Sequence, residues 1–460
     1  MRKLLCCTVA ALVVGVVAVR VSGDERVEDR VDRLRRVVRE QGRQLVELEA
    51  KMAAIQGATA DQVRAVMAEM GAGPEGNPND FVAYWDNGIR LKTLDGSVKI
   101  KLGGRFMGDA GWVSDTSLED ALDEDLEDCV ETRRFRFYAS GNITKCMEFK
   151  VQVDLAGDEP SLKDAYLKWK KLPAVGSVTV GHFKEPFSLE ELTSSKYTTF
   201  IERALPVEAF APSRNYGVMA ADGVGDNLWW AVGVFKDYGS NEAECEDGEY
   251  NMSARVAWAP WYAEGGKQLL HVGAAYSLRH FDGTSGPRYR SRPEAHFMPR
   301  LVDTGTISFT DWAHLFGGEV ALVYGPFSVQ GEYIGAYLNQ DGGQPGSFCL
   351  GGGYVYASYF LTGENRKYKN GAFSRVKPDK NWCEPGGYGA WEVAARYSCL
   401  DLMEGGLGDD RGRMQDVTVG LNWYLNPNMR VMWNYIHSCV DRSDFDDEAD
   451  ILLMRVQVDF

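Results

Sequence analysis

Basic side chains recur at every second position in several short stretches of this chain, and this is the pattern that points to chemistry. In 98–112, Lys99, Lys101 and Arg105 oppose Val98, Ile100, Leu102 and Phe106. In 132–140, Arg134 and Arg136 oppose Phe135 and Phe137. Lys150 and Lys168 fall on the polar faces of 145–155 and 162–170. A period of two is the side-chain period of a strand. A row of cations on a water-facing strand wall can replace part of the hydration of a passing anion. Acids share the same faces: Asp109, Glu148, Asp154, Asp164, Glu332, Glu392, Asp416 and Asp459. Two arrangements fit this mixture: a cationic path, or a wall of ion pairs that stiffens the fold. Catalytic patterns are missing. The sequence has no G-x-S-x-G, H-E-x-x-H or Walker loop. Its six histidines are scattered without metal spacing, and Glu190-Glu191 reads as a solvated loop pair. No catalytic residue, cofactor or metal is expected.

The elements that carry these faces are predicted strands. The last one, 451–460, sets Leu452, Met454, Val456 and Val458 against Leu453, Arg455, Gln457 and Asp459, and ends on Phe460. One greasy face and one wet face suit a strand between lipid and water. Reading back from it, the period predicts strands at 428–437, 416–425, 389–399, 353–362, 327–338, 316–324, 270–280, 251–258, 228–235, 214–221, 177–183, 162–170, 145–155, 132–140 and 98–112. That makes sixteen, an even number, as a single-chain bacterial barrel requires. The expected fold is all-β: a 16-stranded antiparallel transmembrane β-barrel within 81–460. Charges are costly on a lipid face, so the charged face is assigned to the lumen. With Phe460 on the periplasmic side, most turns on that side are short and the acidic tracts lie on the other. Segment 363–388 is the exception: it is long yet periplasmic, so either it tucks into the barrel or the count slips by one hairpin.

The N-terminus reads differently. Met1-Arg2-Lys3 followed by the apolar stretch Leu4 to Val19 reads as a signal peptide over 1–23. Val27, Leu34, Gln41, Leu48 and Ile55 then fall seven apart, interleaved with Val31, Val38, Leu45 and Met52. This a/d seam predicts a periplasmic coiled coil over 24–57. A short helix and a Gly/Pro/Asn linker fill 58–80. Seven cysteines remain after the signal, dispersed and odd in number, and no pairing follows from them. The net charge of −16 argues against a nucleic-acid partner. No later segment has the roughly twenty apolar residues of a spanning helix.

Ordered motifs then resemble the phosphate-selective porin O and P family. They begin with VTVGHFKEPFSLEELTSSK over 178–196 and TFIER over 199–203. They continue with YGPFSVQGEY over 324–333, LTGE over 361–364, AWEVAARYS over 390–398, GLNWYLNP over 420–427 and NYIHS over 434–438. The resemblance implies a homotrimeric channel of the bacterial outer membrane, passing small hydrophilic solutes or anions, whose third external loop folds inward. Counting strands places 184–213 as that loop. Its bases Lys184, Lys196 and Arg203 join Lys99, Lys101, Arg105, Arg134, Arg136, Lys150 and Lys168 as the expected anion path. The loop also holds Glu185, Glu190, Glu191, Glu202 and Glu208, which points to a modest anion preference rather than tight phosphate binding. A second reading stays open. The protein is then an envelope tether, with outer-membrane lipid holding the barrel as an anchor and the coiled coil touching the cell wall.

Overall fold

Alternation along each segment produces one continuous sheet. The computed structural model describes Arg39 and residues 79–114, 118, 126–225, 227–237, 250–281, 286–340, 346–404, 411–443 and 446–460. The signal peptide, the coiled coil, the short helix, most of the linker and Cys245 lie outside the described residues. Two compact units divide at Asp80 and Phe81, and the second, which runs to Phe460, holds the barrel.

Sixteen strands build the barrel. They are β1 (Lys99–Val113), β2 (Cys129–Thr144), β3 (Met147–Asp154), β4 (Ser161–Leu172), β5 (Gly176–Lys184) and β6 (Arg214–Val224). Next come β7 (Leu228–Lys236), β8 (Tyr250–Ala263), β9 (Gln268–His280), β10 (Thr310–Tyr324) and β11 (Phe327–Gln340). The last five are β12 (Ser347–Phe360), β13 (Ala390–Asp401), β14 (Arg413–Asn426), β15 (Met429–Asp441) and β16 (Asp446–Asp459). Each pairs antiparallel with its sequence neighbour, and β16 pairs with β1 from Ile451↔Val113 to Asp459↔Arg105. No edge is left, so every strand finds partners on both sides, which is what a sheet in lipid requires.

Phe460 completes the seam and marks one rim of the barrel, the terminal rim. Its backbone exchanges hydrogen bonds with Gly104 at 3.0 and 3.1 Å. A Cβ on Gly103 would stand 2.4 Å from the Phe460 carbonyl oxygen, so the close approach of the terminus requires glycine there. The terminal rim has tight turns: Gly325 takes φ +57° in the two-residue link between β10 and β11, a conformation glycine adopts without strain. A hairpin that the periodicity did not separate, Phe81–Trp85 with Ile89–Thr93, pairs with Lys99–Leu102 at this rim. It adds two strands outside the closed ring.

The faces follow burial. Outward positions such as Phe135, Phe137, Val151, Val180, Val234, Val256, Val320, Val355, Val419, Leu452 and Val456 are exposed. Trp258, Trp261, Tyr262, Tyr324, Phe327 and Tyr359 cluster near the terminal rim, as an interfacial aromatic girdle does. The lumen is not uniformly polar. Ile334, Leu350, Leu400, Met414, Met432, Ile436 and Leu453 point inward and form the main hydrophobic cluster. Segments folded into the barrel cover them: Phe187, Phe200, Leu205 and Phe210 from 185–213, and Met298 and Leu301 from 286–309.

Candidate functional site: a constricted, base-lined lumen

Loop 185–213 is the element that shapes the lumen. It carries two short helices, α1 (Leu189–Leu192) and α2 (Leu205–Phe210). The loop leaves β5, crosses the barrel and is tied to the wall opposite. The Glu332 carboxylate on β11 accepts from Leu189 N at 2.9 Å and Glu190 N at 2.8 Å. Ser398 on β13 accepts from Leu205 N at 3.0 Å. Asn422 on β14 donates to Thr199 O at 2.8 Å, and Arg430 on β15 to Thr198 O at 2.7 Å. Arg455 on β16 donates to Ile201 O at 2.6 Å and to the Glu202 carboxylate at 2.7 Å. These partners sit in the positions that alternation assigns to the lumen.

Segment 361–389 does tuck inward, from the terminal rim. Its small hairpin, Lys367–Lys369 with Ala372–Ser374, lies inside the barrel. Tyr368 contacts His271 Nδ1 at 2.6 Å, and Gly371 O accepts from Arg255 at 2.9 Å. Phe373 N donates to Thr193 of the crossing loop at 3.4 Å, and Arg375 pairs with Asp459. On the β8–β16 side the lumen is therefore occupied from both rims and across the middle.

What stays open lies between the loop and β1–β6. It is a cavity of about 600 Å³ lined by Arg105, Arg133, Arg134, Arg136, Lys150, Lys163, Lys168, Lys184, Arg203 and Arg214, with only Asp164 and Glu191 among the acids. A second space of about 590 Å³ continues past Lys168, Lys170, Lys171 and Arg255. Arg133, Arg134 and Arg203 also border a third, of about 290 Å³, beside Glu202, Glu208 and Arg292.

The carboxylates are distributed unevenly. On the occupied side some are matched to bases, while Glu332, Glu392 and Asp416 accept from neutral donors, among them Tyr354, Tyr424 and Ser438. Arg255 forks onto Glu319 at 2.7 and 2.6 Å, and Arg455 onto Asp109 at 2.7 and 2.6 Å, while Arg396 pairs with Glu294. The loop's own glutamates are consumed as anchors. Glu190 and Glu191 are buried rather than solvated, because the loop lies inside the barrel. Glu185 accepts from Arg279 at 2.9 Å and Asn215 at 2.7 Å, Glu190 from Ala204 N at 3.0 Å, and Glu208 pairs with Arg292 at 3.3 Å. Glu202 meets Arg133 at 2.8 Å, Arg134 at 3.5 Å and Arg455 at 2.7 Å. Burial works against its charge, yet those three guanidiniums hold the carboxyl well below the usual range.

On the open side bases outnumber acids. Arg136 pairs with Asp154 at 2.6 Å. Lys150 and Arg214 share Asp164 at 2.6 and 2.8 Å, and Lys184 and Arg203 share Glu191 at 3.0 Å each. Arg105 donates to Ser195 Oγ at 2.6 Å. Among the described residues, no carboxylate oxygen lies within 4 Å of the Arg105, Lys163 or Lys168 side-chain nitrogens. Ten bases against Asp154, Asp164, Glu191 and Glu202 leave an excess of six positive charges at this wall.

Of the ten bases read from the sequence, the cavity gathers Arg105, Arg134, Arg136, Lys150, Lys168, Lys184 and Arg203. Lys99 is exposed at the terminal rim. The Lys101 ammonium lies over the Tyr138 ring near that rim. Lys196 turns to Asp459 at 3.4 Å and to Tyr138 and Tyr197, where burial lowers it to about 8. Arg133 and Lys163 were not read from the sequence. Each is the extra residue of a β-bulge: Met107 and Gly108 face Arg134 and Thr132, and Gln152 and Val153 face Asp164 and Leu162. A bulge turns aside a residue that strict alternation would send to lipid.

A closed sixteen-stranded barrel with an apolar outer belt, an inner loop and a wet, charged gap is a porin of the bacterial outer membrane: a water-filled channel for small solutes. Residues 100–460 match the phosphate-selective porin O and P family, and the chain belongs to it. An uncharacterized protein of Caulobacter vibrioides is 31% identical over 379 residues, covering 79% of this chain and 72% of its own. Porin O of Pseudomonas aeruginosa is 26% identical over 424 residues, covering 83% and 93%. Among solved structures, a loop-deleted OmpT of Vibrio cholerae superposes with TM-score 0.51 at 12% identity, over 79% of this chain and 100% of that one. An anion-selective porin from Comamonas acidovorans does so with TM-score 0.51 at 12% identity, over 78% and 99%. The two structures share the fold.

Proposed function

We propose that this channel passes small anions, phosphate among them, in preference to cations. The observation that carries the reading is the charge of the open wall: the bases of β1–β6 and the loop face the gap, while most carboxylates of the lumen are spent on the other side. An anion entering the gap loses water and gains Arg105, Arg134, Arg136, Lys150, Lys163, Lys168, Lys184 and Arg203 as partial replacements. The Comamonas porin that shares the fold is anion-selective, which agrees with this reading. The test is the reversal potential of single channels in a potassium chloride gradient. Chloride should exceed potassium in permeability, and the preference should fall when Arg134→Ala and Arg136→Ala are combined. Cation selectivity in the unmodified channel, or an unchanged ratio in the double variant, would end the proposal.

The remaining architecture is part of the same proposal. Residues 1–23 are the signal peptide, 24–57 a coiled coil in the periplasm and 58–80 a short helix and linker, with the terminal rim facing the periplasm. Coiled coil and barrel assemble as a homotrimer. The a/d seam supports self-association, since an isolated helix of this length is marginal in water. The same seam favours a second role, in which the coiled coil contacts the cell wall. Deleting 24–70 separates the two. Lost envelope attachment with intact conductance assigns tethering to the coiled coil, and unchanged attachment removes that role.

A further inference from the structure

Away from the lumen, the outward face of the β15–β16 hairpin gathers three side chains that ligate transition metals. His437 and Cys439 are two apart on β15, and the register sets Cys439 opposite Glu448 and His437 opposite Asp450. His437 Nε2 lies 3.6 Å from Cys439 Sγ and 3.9 Å from Glu448 Oε2. Cys439 Sγ lies 3.9 Å from Glu448 Oε1. The three donors fall within 4.8 Å of one another. At 3.9 Å the histidine–glutamate contact is too long for an N–H···O hydrogen bond of about 2.7–3.2 Å. It is close to the ligand–ligand edges of about 3.4–3.6 Å that tetrahedral zinc bonds of ~2.0–2.3 Å produce.

An outer shell is already in place. His437 Nδ1 contacts Asp450 Oδ1 at 2.9 Å, and the Tyr435 hydroxyl donates to the same oxygen at 2.7 Å. A carboxylate on one imidazole nitrogen orients the ring and makes the other nitrogen a better ligand. Here that other nitrogen faces the thiol and Glu448.

We propose that this hairpin binds a divalent transition-metal cation of the zinc type through His437 Nε2, the Cys439 thiolate and the Glu448 carboxylate, with a fourth position open to water. On binding, the thiol releases its proton to solvent. Three ligands from two strands fit a cation that clips the hairpin where it turns at the rim opposite Phe460. The sequence hides the site because His437 and Cys439 alone make no metal motif, and Glu448 and Asp450 arrive by cross-strand pairing. The site lies outside the lumen, so its failure would leave the anion reading untouched.

Cobalt(II) alone is the probe, added to the folded full-length chain in detergent with thiols reduced. The expected result is a thiolate-to-cobalt charge-transfer band in the near ultraviolet, four-coordinate visible bands and displacement by zinc(II). Cys439→Ala removes the charge-transfer band. His437→Gln, Glu448→Gln and Asp450→Asn each weaken binding, by about tenfold or more. Cys399→Ala, on the same face beyond Gln415, leaves the spectrum unchanged. Glu448 is exposed, so its variant tests the site without disturbing the barrel. Absence of the band in the parent protein, its survival in Cys439→Ala, or parental affinity in both Glu448→Gln and Asp450→Asn would overturn the proposal.

Discussion

Lys163 and Lys99 differ in what surrounds their charge, and the difference sets what each contributes. Lys163 borders the open gap and has no carboxylate within 4 Å among the described residues. Lys99 is exposed at the terminal rim. A unit charge acting at about 5 Å in water is worth ~0.8 kcal/mol, about half of that surviving screening at 0.1 M salt. Lys163→Ala should therefore lower the chloride-to-potassium permeability ratio roughly two- to fourfold, while Lys99→Ala leaves it unchanged. Equal effects from the two, read as reversal potentials, would mean that position in the gap is irrelevant. Period-two reading found Arg134, Arg136, Lys150 and Lys168 because each sits in regular sheet, where alternation alone decides the face. It missed Arg133 and Lys163 because a bulge inserts a residue without leaving a mark in composition. Nor could it foresee that Lys196 would be drawn to Asp459, or that Glu185 and Glu202 would anchor the loop. Those partners lie far away in sequence and meet only when the barrel closes.

At the scale of elements, loop 185–213 and segment 361–389 set how much lumen remains. Phe200 holds the loop against the inner wall. It is fully buried, with the Arg396 guanidinium 4.3 Å from its ring centroid and Tyr356 edge-on at 5.4 Å. Phe200→Ala should cost about 3–5 kcal/mol of local packing. The barrel should still close, because the β ladders do not depend on this side chain. The expected signs are faster proteolysis within 185–213 and noisier single-channel current; a quiet, protease-resistant variant would show that the hydrogen bonds between the loop and Glu332, Ser398 and Asn422 suffice. Segment 361–389 makes a separable contribution. Replacing 363–388 by a two-residue turn should raise unit conductance and lower thermal stability together, since the buried Arg255 and Gln330 lose the partners that Gly371 and Arg366 now give them. Unchanged conductance would place the narrowest point at loop 185–213 alone. Strand positions were readable because each strand carries its own lipid and water faces. The inward tuck was readable only as an anomaly, a long connection on the side of short turns. The hairpin at Phe81–Thr93 escaped because it pairs over only a few residues and spans nothing.

The whole molecule sets an acidic chain around a basic gap. The net charge is −16, and described acids such as Glu127, Asp128, Glu131, Asp237, Asp441, Asp446, Asp447 and Glu448 lie at or beside strand ends on the rim opposite Phe460. Anions approaching that mouth meet repulsion before they meet the bases, so the two fields oppose each other along one path. Screening separates them. The screening length is about 30 Å at 0.01 M salt, 10 Å at 0.1 M and 3 Å at 1 M. Mouth charges act over the longer distance and fade first; the buried and half-buried bases of the gap are screened later, because a passing ion comes within contact range of them. Reversal potentials taken at a fixed concentration ratio over these three ionic strengths should show a chloride preference that is strongest near 0.1 M. It should be weakened below that by the acidic mouth and above it by loss of the gap's field. Neutralising acids in the 441–450 run should remove the low-salt decline and leave the high-salt decline in place. A preference constant from 0.01 to 1 M would contradict selection by a screened field, and would place discrimination instead in direct contacts that dehydrate the ion against Arg105, Arg134 and Arg136.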